Sequence, residues 1–115
     1  MAARRSATAG ARIVASAAVF FALGDETRLG LVSRLCDDGP TSIVKLTASF
    51  DMSRQAIAKH LRVMEDAGLV HRTQRGRESL WQLEPKRLAE ARQHLASIAA
   101  QLDGALLRLK RYVED

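Results

Sequence analysis

Apolar residues recur at helical spacing along most of this chain, with one interruption. Over residues 11–23 the stretch is nearly uncharged, and Ile13, Ala17, Phe20 and Phe21 share one face of a predicted helix that Gly24 stops. Asp25, Glu26 and Thr27 supply capping and first-turn chemistry for a second helix. Its core face is Leu29, Val32 and Leu35, and Asp37-Asp38-Gly39-Pro40 ends it. Thr41 or Ser42 caps a short third helix carrying Ile43, Leu46 and Phe50. Ser53 caps a fourth, with Ile57, Leu61 and Met64 inward and Gly68 closing it. Then the period changes. Residues 69–74 and 79–83 read as strands around the turn Arg75-Gly76-Arg77-Glu78, with Leu80, Trp81 and Leu83 available to pin the hairpin to the helices.

Pro85 opens a last helix over residues 86–113. Leu88, Leu95, Leu102 and Leu109 recur every seven residues, and Ala91, Ile98, Ala105 and Tyr112 follow each by three, an a/d seam over four heptads. A rod of roughly 42 Å is longer than so small a domain can cover by itself. The pattern therefore predicts a symmetric dimer through the first and last helices, with Phe20, Leu95, Ile98, Leu102, Leu106 and Leu109 in the contact. Residues 1–10 lack apolar periodicity and read as a disordered tail, leaving residues 11–113 as one domain. The expected fold is mainly α with a β-hairpin, about five helices in all.

Composition narrows this further. At 115 residues, 47 % hydrophobic and 27 % charged, the chain suits one domain with a core and excludes wholesale disorder. The single cysteine, Cys36, excludes an intramolecular disulfide framework and any CxxC motif, and points to a reduced compartment. Beside Asp37 and Asp38, whose carboxylates blunt a thiol's reactivity, it reads as a packed helix-end residue. No apolar run reaches the roughly 18 residues of a membrane span. Arg4 and Arg5 ahead of the uncharged stretch, with Ala22-Leu23-Gly24 behind it, have the outline of a secretory leader. The helical spacing of that stretch and the middle of the chain favour a cytoplasmic protein instead.

The net charge is +5, carried by fourteen Arg and four Lys against thirteen carboxylates. Between Arg54 and Arg77, six cations meet only Glu65 and Asp66, so four of the five net charges fall in 24 residues. These residues cover two short helices joined by a turn (residues 42–67) and a basic hairpin (residues 69–83), the order of a winged helix-turn-helix. In that reading Ser53, Arg54, Gln55 and Ala56 in the first turn of the second helix face base edges of double-stranded DNA. Ser can contact either strand, Arg matches guanine, Gln matches adenine, and Ala touches a thymine methyl. Lys59, His60 and Arg62 on the same helix, with Arg72, Arg75 and Arg77 in the hairpin, complete the candidate contacts. An ordinary solvated surface would explain the charge alone, but not its coincidence with these two elements.

Three motifs carry a resemblance. Leu23-Gly24-Asp25-Glu26-Thr27-Arg28-Leu29 resembles the L-A-D-P-T-R signature of ArsR/SmtB-type transcriptional regulators. Ser53-Arg54-Gln55-Ala56-Ile57-Ala58-Lys59-His60-Leu61, continuing to Ala67-Gly68-Leu69-Val70, resembles their recognition-helix region. Gly76-Arg77 with Leu80-Trp81-Gln82-Leu83 resembles their wing, Trp81 standing in an aromatic slot. The resemblance implies a homodimeric repressor that binds imperfect palindromes and leaves them when an effector binds. It does not imply the effector. Soft-metal sensors of the family need paired cysteines, and zinc-type sensors need Asp and His pairs on the last helix; only Cys36, and His94 with Asp103, are offered. No metal site and no cofactor are expected; His60, at the family's recognition-helix His position, reads as a DNA-face or packing residue, His71 and His94 read as structural, and the effector stays unknown. No nucleophile–base set or phosphate-cradling glycine loop appears, so no enzyme is expected. A protein-interaction winged helix (an adaptor or anti-activator) and an RNA-binding module are the competing readings.

Overall fold

The computed structural model describes residues 2–114. In chain order it contains α1 (Ala2–Leu23), α2 (Glu26–Asp38), β1 (Thr41–Ser42), α3 (Ile43–Ala48), α4 (Arg54–Asp66), β2 (Val70–Arg75), β3 (Glu78–Leu83) and α5 (Pro85–Glu114). The three strands form one antiparallel sheet in the order β1-β3-β2. Mainly helical, with a hairpin wing behind a helix-turn-helix, this is a winged helix-turn-helix fold.

The helix boundaries follow local chemistry. Asp25 caps α2, its carboxylate accepting from the Arg28 N–H at 3.0 Å. Ser42 caps α3 through the Lys45 N–H, and Ser53 caps α4 through the Ala56 N–H at 3.1 Å. Gly68 ends α4: its N–H donates to the Glu65 carbonyl and that of Leu69 to the Met64 carbonyl, both at 2.9 Å. That pair of bonds is a Schellman motif. It needs the left-handed conformation Gly68 adopts (φ 75°), and a Cβ there would stand 3.0 Å from Arg87 Nε. Gly68→Ala is therefore expected to lose about 1–2 kcal/mol from backbone strain alone, read by urea denaturation; an unchanged midpoint would contradict this account of the helix end.

The core lies where α1, α2, α3, α4 and the sheet meet. Val19, Leu31, Leu46, Ile57, Leu61, Met64 and Leu69 are completely buried, with Trp81 and Ala91 closing it from β3 and α5. Two predicted faces are out of phase with this core. On α2 Leu35 is buried as expected, but its fully buried companion is Leu31, one turn earlier; Leu29 points to solvent and Val32 is half-buried. On α1 the buried face is Ser16, Val19 and Ala22, whereas Ile13, Ala17 and Phe21 are exposed and Phe20 is half-buried. Nearly every residue of this stretch is small or apolar, so no polar stripe fixes its rotation.

Three further expectations are corrected. The helix expected to start near residue 11 already begins at Ala2. Residues 2–12 hold no proline, and once the following turns are helical each added residue gains a backbone bond; Met1 lies outside the described residues. Thr41 and Ser42, expected only as caps, also pair with Trp81 and Leu80 as a two-residue strand. Cys36 is exposed rather than packed.

Among the described residues, helix α5 is anchored along its first half. Ala91 is buried against the body, and His94 Nδ1 meets Ser16 Oγ at 2.5 Å, tying α5 to α1. Beyond that point Leu95, Ile98, Leu102, Leu106 and Leu109 are all exposed, Leu102 at 56 % and Leu106 at 54 %. The radius of gyration is 18.3 Å, against about 13 Å for a compact domain of 100 residues. The apolar seam runs off the body of the domain.

Candidate nucleic-acid interface

Helix α4 divides cleanly into faces. Ile57, Leu61 and Met64 point inward and are fully buried. Gln55, Lys59 and Arg62, spaced i, i+4 and i+7, form an exposed stripe, with Arg54 exposed in the first turn and Ala56 half-buried beside it. Ser53 is exposed, but its hydroxyl oxygen already accepts the Ala56 N–H. The stripe is presented at the surface because α3, through buried Leu46, and the core beneath hold the opposite face.

His60 is turned to the rear of that stripe. Its Nδ1 lies 3.3 Å from Arg28 Nη1 and 3.7 Å from Asp25 Oδ2, while Arg28 Nε donates to the Ala22 carbonyl at 2.5 Å. One cluster thus joins the end of α1, the start of α2 and the middle of α4. The Asp25 carboxyl is held below its ordinary range, chiefly by accepting the Arg28 backbone N–H, with the positive Arg28 side chain and His60 adding to this. A carboxylate so stabilised strengthens the fold above its unfolded pKa of 3.8. The contribution fades as pH falls below that value through the lower folded one.

Asp25 and Arg28 were legible only as capping residues and part of a motif, and their reach to α4 was missed. The signal was His60 itself, three residues after Ile57 and four before Met64, beside the inward stripe. His60→Ala is expected to lower stability by about 1 kcal/mol, measured by chemical denaturation, with His60→Asn recovering part through its own acceptor oxygen. Equal stability of all three proteins would remove His60 from the cluster.

The wing places its cations in two groups. Arg75 and Arg77 are exposed at the tip, where Gly76 (φ 63°) opens a two-residue loop between Arg75 and its cross-strand partner Glu78. Arg72, farther down β2, stands opposite Trp81 with its guanidinium carbon 5.3 Å from the ring centroid. Leu80 and Trp81 are buried as expected, and Leu83 is half-buried. His71 is fastened to the wing base: Nε2 is 2.7 Å from Gln82 Nε2, and Nδ1 lies 3.0 Å from Glu84 Oε2, off the hydrogen-bond axis. An amide nitrogen can only donate, so in this contact His71 Nε2 is the acceptor.

Among the described residues, no carboxylate lies within 4 Å of the charged groups of Arg54, Lys59, Arg62, Arg72, Arg75 or Arg77. Six cations on two adjoining elements are therefore free of ion pairs. Also among the described residues, no three His, Cys, Asp or Glu side chains converge as a metal cluster, and no helix is long and apolar enough to cross a membrane.

A helix-turn-helix seated on the core, an exposed basic face on its second helix and a basic wing define the class of winged helix-turn-helix regulators. The chain belongs within it to the ArsR family of transcriptional regulators. A family model described as a helix-turn-helix domain matches residues 23–73. The HTH-type transcriptional regulator YuzN of Bacillus subtilis (strain 168) is 44 % identical over 66 residues, which are 52 % of this chain and 72 % of that protein. The arsenical resistance operon repressor of the same organism is 33 % identical over 64 residues, 56 % of this chain and 61 % of that protein. Among solved structures, an ArsR-like transcriptional regulator from Rhodococcus sp. RHA1 superposes with a TM-score of 0.71 at 34 % identity, covering 86 % of this chain and 92 % of that one.

Proposed function

We propose that the protein is a homodimeric repressor that binds a near-palindromic site on double-stranded DNA. The observation that carries this reading is the set of six unpaired cations shared between α4 and the wing. In the complex, α4 enters the major groove, where Arg54, Gln55 and Ala56 read base edges, with Ser53 beside them as the helix cap. Lys59, Arg62, Arg72, Arg75 and Arg77 neutralise phosphates and release counterions. His60 acts from behind, keeping α4 seated on α2. The unpartnered face of α1 and α5, through Phe20, Leu95, Ile98, Leu102, Leu106 and Leu109, joins two protomers about a two-fold axis. Their recognition helices then meet half-sites about one duplex turn, roughly 34 Å, apart. The activity is binding rather than catalysis, exerted in the cytoplasm where the DNA is.

The test is in vitro selection from a randomised duplex pool, expected to enrich an inverted repeat. Enrichment of single-stranded RNA in a parallel pool, or of no nucleic acid, would overturn the reading in favour of the RNA-binding or adaptor alternatives. On the selected duplex, Arg54→Ala is expected to cost about 1–3 kcal/mol and to relax preference at one base pair. Arg75→Ala should weaken specific and random duplexes alike. Equal losses on both duplexes for Arg54→Ala would take Arg54 out of the base-reading set.

A further inference from the structure

Between α4 and the wing lies a hollow of about 340 Å³, lined by Ile43, Ala58, Arg62, Arg72, Ser79 and Trp81, with Glu65 its carboxylate. Arg62 from α4 and Arg72 from β2 thus line one space from different elements. Neither has a carboxylate within 4 Å among the described residues. The lining carries a net charge of +1, matching the single negative charge of a phosphodiester, and the Ser79 hydroxyl adds a neutral donor.

We propose that Arg62 and Arg72, the latter stacked on Trp81, together hold one phosphodiester of the DNA strand that crosses between α4 and the wing. This rests on the DNA-binding reading above. If α4 lies in the major groove and the wing tip at Gly76-Arg77 reaches the adjoining minor groove, one sugar-phosphate strand separates the two. That strand would run between the two elements, as this hollow does.

Trp81 is the positioning residue. It sits in the central strand, only 6 % exposed, paired on one side with Thr41 and on the other with Arg72. Its fixed ring gives the Arg72 guanidinium a surface to lie on, so less side-chain freedom is lost when a phosphate arrives. The planar fork of an arginine then meets phosphate oxygens in a set direction.

The experiment uses the full chain and the duplex recovered by in vitro selection, with each phosphate of a half-site replaced in turn by an uncharged methylphosphonate. At one step the wild-type protein is expected to lose roughly tenfold or more in affinity. Arg62→Ala and Arg72→Ala should each bind more weakly and become insensitive to replacement at that same step, while staying sensitive elsewhere. Trp81→Leu should behave as Arg72→Ala does, and Trp81→Phe, which keeps a ring under the guanidinium, should restore sensitivity there. Arg77→Ala, at the wing tip, should keep it. Arg62 and Arg72 mapping to different phosphates, or to none, would overturn the shared seat while leaving the DNA-binding reading standing. Trp81→Phe losing sensitivity at the step would overturn the role of the ring. Failure of the wild-type protein to recover any duplex would take down both readings.

Discussion

Replacing Leu102 and Leu106 together by glutamate is expected to convert the protein from a dimer to a monomer and to weaken binding to a two-half-site duplex by about 100- to 10,000-fold. Both leucines lie on the part of α5 that extends beyond the body of the domain, and both are more than half exposed. Four carboxylates at a closed symmetric contact would be buried without partners, a cost the apolar seam cannot offset. The DNA affinity falls because each half-site must then be found independently, and no residue of α4 or the wing has changed. Sedimentation reads the first effect directly: twice the 12.6 kDa chain mass for the wild-type protein and once for the variant. A wild-type monomer, or a monomeric variant with undiminished affinity, would contradict the reading of α5 as the dimer helix.

Leu61→Ala is expected to cost about 2–5 kcal/mol of folding stability. Leu61 is completely buried on the inward face of α4, in one cluster with Ile57, Met64, Leu31 and Trp81. Truncation removes the side chain that seats the candidate recognition helix on the core. Set against about 5–15 kcal/mol for a whole domain, this is a large share. The same substitution at Leu29, one turn from Asp25 but exposed, should change stability by no more than about 0.5 kcal/mol. Urea denaturation of the two variants decides the point, and similar losses for both would contradict the assignment of the core face of α2 and α4.

How much of this was legible in the sequence differs by element. The inward face of α4 was readable because Lys59, His60 and Arg62 fall between Ile57, Leu61 and Met64 and fix the helical phase. The hairpin was readable from the change of period and from Gly76, which supplies the positive φ the turn requires. Helix α1 was misphased for the opposite reason. Between residues 13 and 23 almost any rotation buries an apolar face, and contacts far along the chain choose Ser16, Val19 and Ala22. The strand β1 has too few residues to show a period, and it exists because β3 offers a free edge to Thr41 and Ser42. Of the candidate site, residue types and spacing gave the exposed stripe and the wing cations. The pairing of Arg72 with Trp81, and of His60 with Asp25 and Arg28, depends on which strands and helices meet in space.

The central claim is that the cations of α4 and the wing bind duplex DNA by displacing its counterions. The salt dependence of affinity tests it most directly. With about six to ten phosphates engaged by the dimer, log K is expected to fall linearly with log salt at a slope of about −5 to −9. The selected inverted repeat should stay well ahead of a random duplex throughout. A slope near zero, or equal affinity for the two duplexes at every salt concentration, would contradict the account.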